Sequence, residues 1–263
     1  MKSSAPSWSL LLRLLLVTAA LGLLWRLVLG MPDLLETRPA QRIVQELLLS
    51  SGVLALVATL LRRDRDDWRL TGWPPRAGTL LREFAGGALL WLLPATAGLA
   101  LCLSMGWVSL SPVAAPSRLL LLLPGVALAV FLSEAFPEEL AVRGYIQGLV
   151  GRRAAAWVAL LAQLAVFILF AWSAGALATP QQWLFLPGLG LILGYARAVS
   201  GQVWCCIGIH WAWMTSTQWL LAAFRVEGTQ TLLFLAFALL PSTAIVLVLG
   251  LRRPGFDWRR PQG

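Results

Sequence analysis

The sequence predicts an all-α polytopic membrane protein of about eight transmembrane helices, with both termini on the cytoplasmic side. Three observations lead there. Hydrophobic residues make up 59% of the 263-residue chain and charged residues only 13%, about half the charged share of a soluble domain. The mean hydropathy is +0.76. The basic residues, 21 against 12 acidic ones for a formal net charge of +9, sit in short clusters between long apolar runs. On a soluble protein that excess would suggest nucleic acid, which needs a basic face on a folded domain. Clusters between apolar runs are instead what positive-inside insertion leaves. The lipid bilayer is therefore the expected partner, and nucleic acid is not.

A helix that crosses the hydrocarbon core needs about 20 largely apolar residues. Eight runs qualify: 8–29, 44–61, 84–103, 119–136, 154–174, 183–199, 203–224 and 231–251. The first follows Lys2 and offers small residues at Thr18-Ala19-Ala20, as a signal peptide would. Arg13 interrupts it, however, and Trp25-Arg26 follow without a clear cleavage site, so a retained helix is expected. With the N-terminus inside, the loops after the second, fourth and sixth spans and the C-terminus are cytoplasmic. They carry Arg62, Arg63, Arg65, Arg69 and Arg76, then Arg152 and Arg153, then Arg197, then Arg252, Arg253, Arg259 and Arg260. The opposite loops hold Arg38, Arg42, Arg118 and Arg225. That bias gives the orientation. Arginine in place of lysine fits a bacterial inner (plasma) membrane.

The chain divides into residues 1–117, with three spans and a cytoplasmic loop at 62–78; a core at 118–224; and a last span with a short basic tail at 225–263. The loop is polar and turns at Pro74-Pro75. The tail from Pro254 is expected to fray. Trp8, Trp25, Trp107 and Trp183 stand at span ends, as interfacial anchors do. Gly190, Gly194 and Ala198 form a small-residue stripe that lets helices approach closely in lipid. Cys102, Cys205 and Cys206 lack metal-site spacing and read as small packing residues.

Ionisable residues inside apolar spans are costly and mark function by default. The fourth span ends in such a cluster, Glu134, Glu138, Glu139 and Arg143, close to the cytoplasmic boundary. Glu139 and Arg143 are i,i+4 in the favourable order for an ion pair. Glu134 and Glu138 are also i,i+4, on another face. Two carboxylates brought together in a low dielectric leave one suited to proton transfer near neutrality. Pro137 removes a backbone donor and is expected to kink the helix. His210, the single histidine, heads a polar stripe with Thr217 and Gln218 in the seventh run. From these residues alone, an interfacial anchor and a water-activating site are both open readings.

Glu138-Glu139-x-x-x-Arg143-Gly144-Tyr145 resembles the EExxxR-G motif of the CPBP family, the type II CAAX prenyl endopeptidases and their bacterial relatives, bacteriocin-immunity proteins among them. The stretch Gly188 to Trp213 is similar to the family's segment leading into its HxxxN motif, and the resemblance covers about 119–224. It implies an intramembrane endopeptidase in which a glutamate, helped by a histidine, activates water, while a second histidine and an asparagine stabilise the oxyanion. Carried over, the catalytic set is Glu138, Glu139, Arg143 and His210.

Two positions depart. The FxxxH histidine falls on Ala174 if Phe170 is the motif phenylalanine, or on Ala171 if Phe167 is. The HxxxN asparagine falls on Met214, whose thioether donates no hydrogen bond. Losing one oxyanion donor costs about 100- to 1,000-fold in rate, and losing an acid/base partner about 100- to 10,000-fold. Ser173, Gln163, Thr217 and Gln218 are the polar side chains available as substitutes. Zinc usually takes three protein ligands, and one histidine with Glu138 and Glu139 is a poor set, so no metal or other cofactor is expected. The expected function is a glutamate-activated peptide hydrolase acting on a membrane-associated protein or peptide. The alternative is a catalytically impaired relative, a membrane scaffold or peptide-toxin immunity protein. A proton-conducting transporter is disfavoured, because the second half does not repeat the first.

Overall fold

A computed structural model describes residues 7–32, 38–74 and 76–262; Lys2, Pro75 and the Trp8 side chain lie outside the described residues. The apolar runs form helices α1 (Ser7–Leu29), α2 (Arg38–Asp64) and α3 (Ala77–Ser104), then α4 (Ser117–Gly151). After these come α5 (Ala156–Ser173), α6 (Pro180–Ser200), α7 (Val203–Ala223) and α8 (Thr229–Arg252). Seven are long and apolar enough to cross a membrane; α7 is the exception. It carries His210, Thr215, Thr217 and Gln218, and more than half of its residues are buried. A helix surrounded by protein can carry polar side chains that a lipid-facing one cannot. The eight helices match the eight expected runs, seven of them apolar enough to span by composition among the described residues. The chain is an all-α integral membrane protein.

Buried apolar side chains form two clusters. One joins α1, α2, α4 and α5 through Leu21, Val53, Leu140 and Phe167. The other joins α3, α6, α7 and α8 through Trp91, Leu193, Ile209 and Ala236. Helix α7 serves both, with Ile207 in the first and Ile209 in the second. Its contact with α3 is backbone-close. A Cβ at Gly87 would stand 2.1 Å from the Cys205 carbonyl, and one at Gly208 would stand 2.1 Å from the Phe84 carbonyl. Only glycine permits that approach, the small-residue packing typical of membrane helices.

The fourth helix does not end near residue 136. It continues to Gly151, carrying the charged motif in its interior. Pro137 is accommodated by π-helical turns at Phe131–Ala135 and Leu140–Ile146, on either side of it. The Phe136 N–H bonds the Phe131 carbonyl, in π register. In that register Pro137, which has no N–H, strands the Leu132 carbonyl. The Ser50 hydroxyl of α2 donates to that carbonyl. Widened turns and a borrowed hydroxyl thus carry the helix through Pro137.

The arginine-bearing loops and the tail meet at one end of the bundle. The loop after α2 is not a free polar loop. It forms a 3-10 turn, Trp68–Thr71, whose Leu70 and Thr71 are buried. The Gly72 carbonyl accepts from Val203 N–H at the start of α7. The tail is likewise tied down rather than frayed. Carbonyls of Trp258 and Arg260 accept from Trp157 and Ala156 N–H, donors that the first turn of α5 leaves open. Gln262 bonds Gly151 through its backbone and Ala198 through its side chain. The opposite end carries a feature the sequence did not announce: β1 (Ser109–Pro112) pairs antiparallel with β2 (Phe224–Glu227). Trp107 and Trp183 are about half exposed, as anchors should be, but Trp25 is buried edge-on against Phe170 at 4.9 Å.

Candidate active site

Glu139 is the hub of the site. Its Oε1 accepts from Arg143 Nη1 at 2.8 Å, one turn along α4, and lies 2.9 Å from His210 Nδ1 of α7. Glu139 and Arg143 are fully buried, and His210 is 3% exposed. The i,i+4 pair anticipated from sequence therefore forms, but with the histidine as a third member. Arg143 also reaches the Gly190 carbonyl of α6 at 3.5 Å, and its guanidinium lies 4.3 Å from the centre of the Phe167 ring. Of the two possible motif phenylalanines, Phe167 is the one against the site. Phe170 packs on Trp25 instead.

The small-residue stripe on α6 supplies acceptors. Arg143 and Gln163 donate to Gly190, Gln147 to Gly194 and Gln262 to Ala198. Without large side chains, these carbonyls stay reachable from neighbouring helices. The fit is tight: a Cβ at Gly194 would stand 2.3 Å from Gln163 Nε2. Among the substitutes considered, Gln163 thus joins the cluster, through Gly190. Ser173 does not; its hydroxyl bonds the Phe170 carbonyl. Gln218 donates to Glu134 at 2.9 Å, a second polar tie between α7 and α4. The Thr217 hydroxyl is buried without a partner.

Glu138 differs from its neighbours. It is only partly buried and makes no hydrogen bond or ion pair among the described residues. It lies within electrostatic reach of His210, Glu134, Glu139 and Arg143. The direct partner of His210 is therefore Glu139. Nδ1 is the nitrogen that faces Glu139, so Nε2 is the one left for other work. Tyr145, the last residue of the motif, donates to Asp64 at 2.8 Å, and the same carboxylate pairs with Arg13 of α1. The arginine that interrupts the first apolar run is therefore held by a carboxylate. The sequence signal for this contact was a charge inside a span.

Chemically, the cluster is one carboxylate held by a buried guanidinium and an oriented imidazole, beside a second carboxylate with its oxygens unspent. Among the described residues, no group of three or more His, Cys, Asp or Glu is placed to hold a metal ion. The three cysteines are free and buried.

The family model described as type II CAAX prenyl endopeptidase, Rce1-like, matches residues 120–216. No curated protein and no solved structure matches the chain. The matched stretch runs from the start of α4 to the polar stripe of α7 and contains Glu138, Glu139, Arg143 and His210. With those residues gathered at one place, the stretch 120–216 is similar to the intramembrane proteases of the type II CAAX prenyl endopeptidase kind, the CPBP family.

Proposed function

We propose that the protein is an intramembrane endopeptidase in which Glu138 activates water against a peptide bond of a membrane-associated substrate. One observation carries the reading. Of the motif's two adjacent carboxylates, Glu139 is held through Oε1 by Arg143 and His210, while neither oxygen of Glu138 has a partner among the described residues. The Glu138 carboxylate takes a proton from water as the oxygen attacks the scissile carbonyl, then returns it to the departing amine. His210 donates Nδ1–H to Glu139, which fixes the ring. As the imidazolium it donates Nε2–H to the oxyanion, the role of preorganised donors in acyl transfer. Arg143, stacked on Phe167, holds Glu139 and acts as a positioning residue. The arginine-rich composition supports a bacterial plasma membrane as the location.

A second reading rests on its own observations. By the resemblance, Met214 stands where the family has a hydrogen-bonding asparagine, and Ala171 or Ala174 where it has a histidine. A scaffold or peptide-toxin immunity protein that keeps the fold without turnover would tolerate both. The readings separate in a single-turnover digest of a membrane-anchored peptide library by the purified full chain, analysed by mass spectrometry. Fragments with the wild type and none with Glu138→Ala support the hydrolase. Identical fragment patterns from both proteins, or none from either, support the scaffold.

A further inference from the structure

The loop after α2, the end of α4, the end of α6 and the C-terminal tail enclose a cavity of about 1040 Å3, open at the arginine-rich end of the bundle. Its wall carries six arginines and three aspartates. Two of the arginines are neutralised within the wall. Arg152 grips Asp66 through two hydrogen bonds of 2.6 and 2.7 Å, and Arg260 pairs with Asp257 at 3.1 Å. Asp67 is engaged with the Arg69 backbone N–H. The other four, Arg65, Arg69, Arg197 and Arg253, have no carboxylate partner among the described residues.

Arg197 is the informative one. It is only 8% exposed, lines the cavity, and its Nε–H has no acceptor among the described residues. One Nη donates to the Leu70 carbonyl. A buried guanidinium with a donor unspent is costly unless something supplies the acceptor. Gln147, on the same wall, buries an Oε1 with no donor among the described residues. The ligand that complements an arginine-rich wall is an anion. Arg65, Arg69 and Arg253 are exposed at the rim, where planar guanidinium forks suit phosphate oxygens.

We propose that this cavity binds a phosphate-bearing anion, seated on Arg197 and closed over by Arg65, Arg69 and Arg253. The chemistry is shared by the headgroup of an anionic glycerophospholipid at the membrane face and by a free phosphate compound. The site is separate from Glu138 and does not depend on peptide hydrolysis.

The test uses the full chain in neutral detergent, melted under tryptophan fluorescence. Phosphatidylglycerol is compared with phosphatidylcholine, and sodium phosphate with sodium chloride at equal ionic strength. The expected result is a melting temperature several degrees higher with phosphatidylglycerol than with phosphatidylcholine. At least half of that shift should be lost in Arg69→Gln/Arg253→Gln, and all of it in Arg197→Gln. A shift with phosphate over chloride, lost in the same variants, would assign the site to a soluble phosphate compound. If neither anion differs from its control, or if the double variant keeps the whole shift, the proposal is overturned. The double variant decides the matter even if the buried Arg197→Gln fails to fold. Glu138→Gln should shift as the wild type does.

Discussion

Replacing Glu139 with glutamine removes one negative charge and almost no volume. Arg143 then remains fully buried, with its nearest counter-charge gone. Breaking a buried pair from one side costs about 3–5 kcal/mol, because the survivor keeps its desolvation penalty. Glu139 Oε1 serves both Arg143 and His210, so the upper part of that range applies. At about 2–4 °C per kcal/mol for a chain of this size, a loss of about 4–5 kcal/mol should lower the melting temperature by about 8–20 °C. The assay is tryptophan-fluorescence melting in detergent, run as a cycle of Glu139→Gln, Arg143→Met and the double variant. Removing both partners leaves no orphaned charge, so the double variant should be more stable than the two single losses sum to. The expected coupling is about 1–3 kcal/mol. A melting temperature unchanged in Glu139→Gln, or strict additivity across the cycle, would refute the claim that this pair is desolvated and mutually dependent.

Other perturbations test the frame around the site. Gly87→Ala should lower the melting temperature, since its Cβ would meet a backbone carbonyl at 2.1 Å and overpacking costs about 1–3 kcal/mol. Gly86→Ala, one residue away with nothing within 4 Å, should be neutral or stabilise by about 0.5–1 kcal/mol in the same melt. Ser50→Ala should cost about 1–3 kcal/mol by leaving the Leu132 carbonyl unpaired. Hydrogen exchange should then quicken around the π turn at Phe131–Ala135 and not at the distant β pair. Deleting residues 254–263 should expose the first amides of α5, seen as faster exchange at Ala156 and Trp157 and a lower melting temperature.

Much of this architecture was legible in hydropathy alone. Each apolar run became a helix, because backbone groups in lipid must be satisfied internally. The Glu139–Arg143 pair was legible in its i,i+4 spacing, and a polar environment for His210 in the stripe it heads. Three things were not. The extension of α4 through Pro137 depends on a hydroxyl from α2, and no local signal around residue 137 points to Ser50. Whether His210 meets Glu138 or Glu139 is decided by the rotation of α7 against a π-distorted α4. The moment of α7 gives no guide, since that helix is buried on most of its faces. The ordered tail follows from open amides at the start of α5, which a basic, proline-flanked sequence does not advertise. Gln163 was one of four polar candidates, and only the Gly190 carbonyl distinguishes it from Ser173.

The most direct measurement is the turnover of a membrane-anchored peptide by wild type and Glu138→Gln in proteoliposomes, with melting curves taken on the same samples. Glu138 makes no structural hydrogen bond, so its replacement should leave the melting temperature within about 2 °C while abolishing cleavage by at least about 100-fold, the scale of a lost general base. Cleavage that survives Glu138→Gln undiminished, or its absence from the wild type across the substrates tried, would contradict the assignment of Glu138 as the water-activating group.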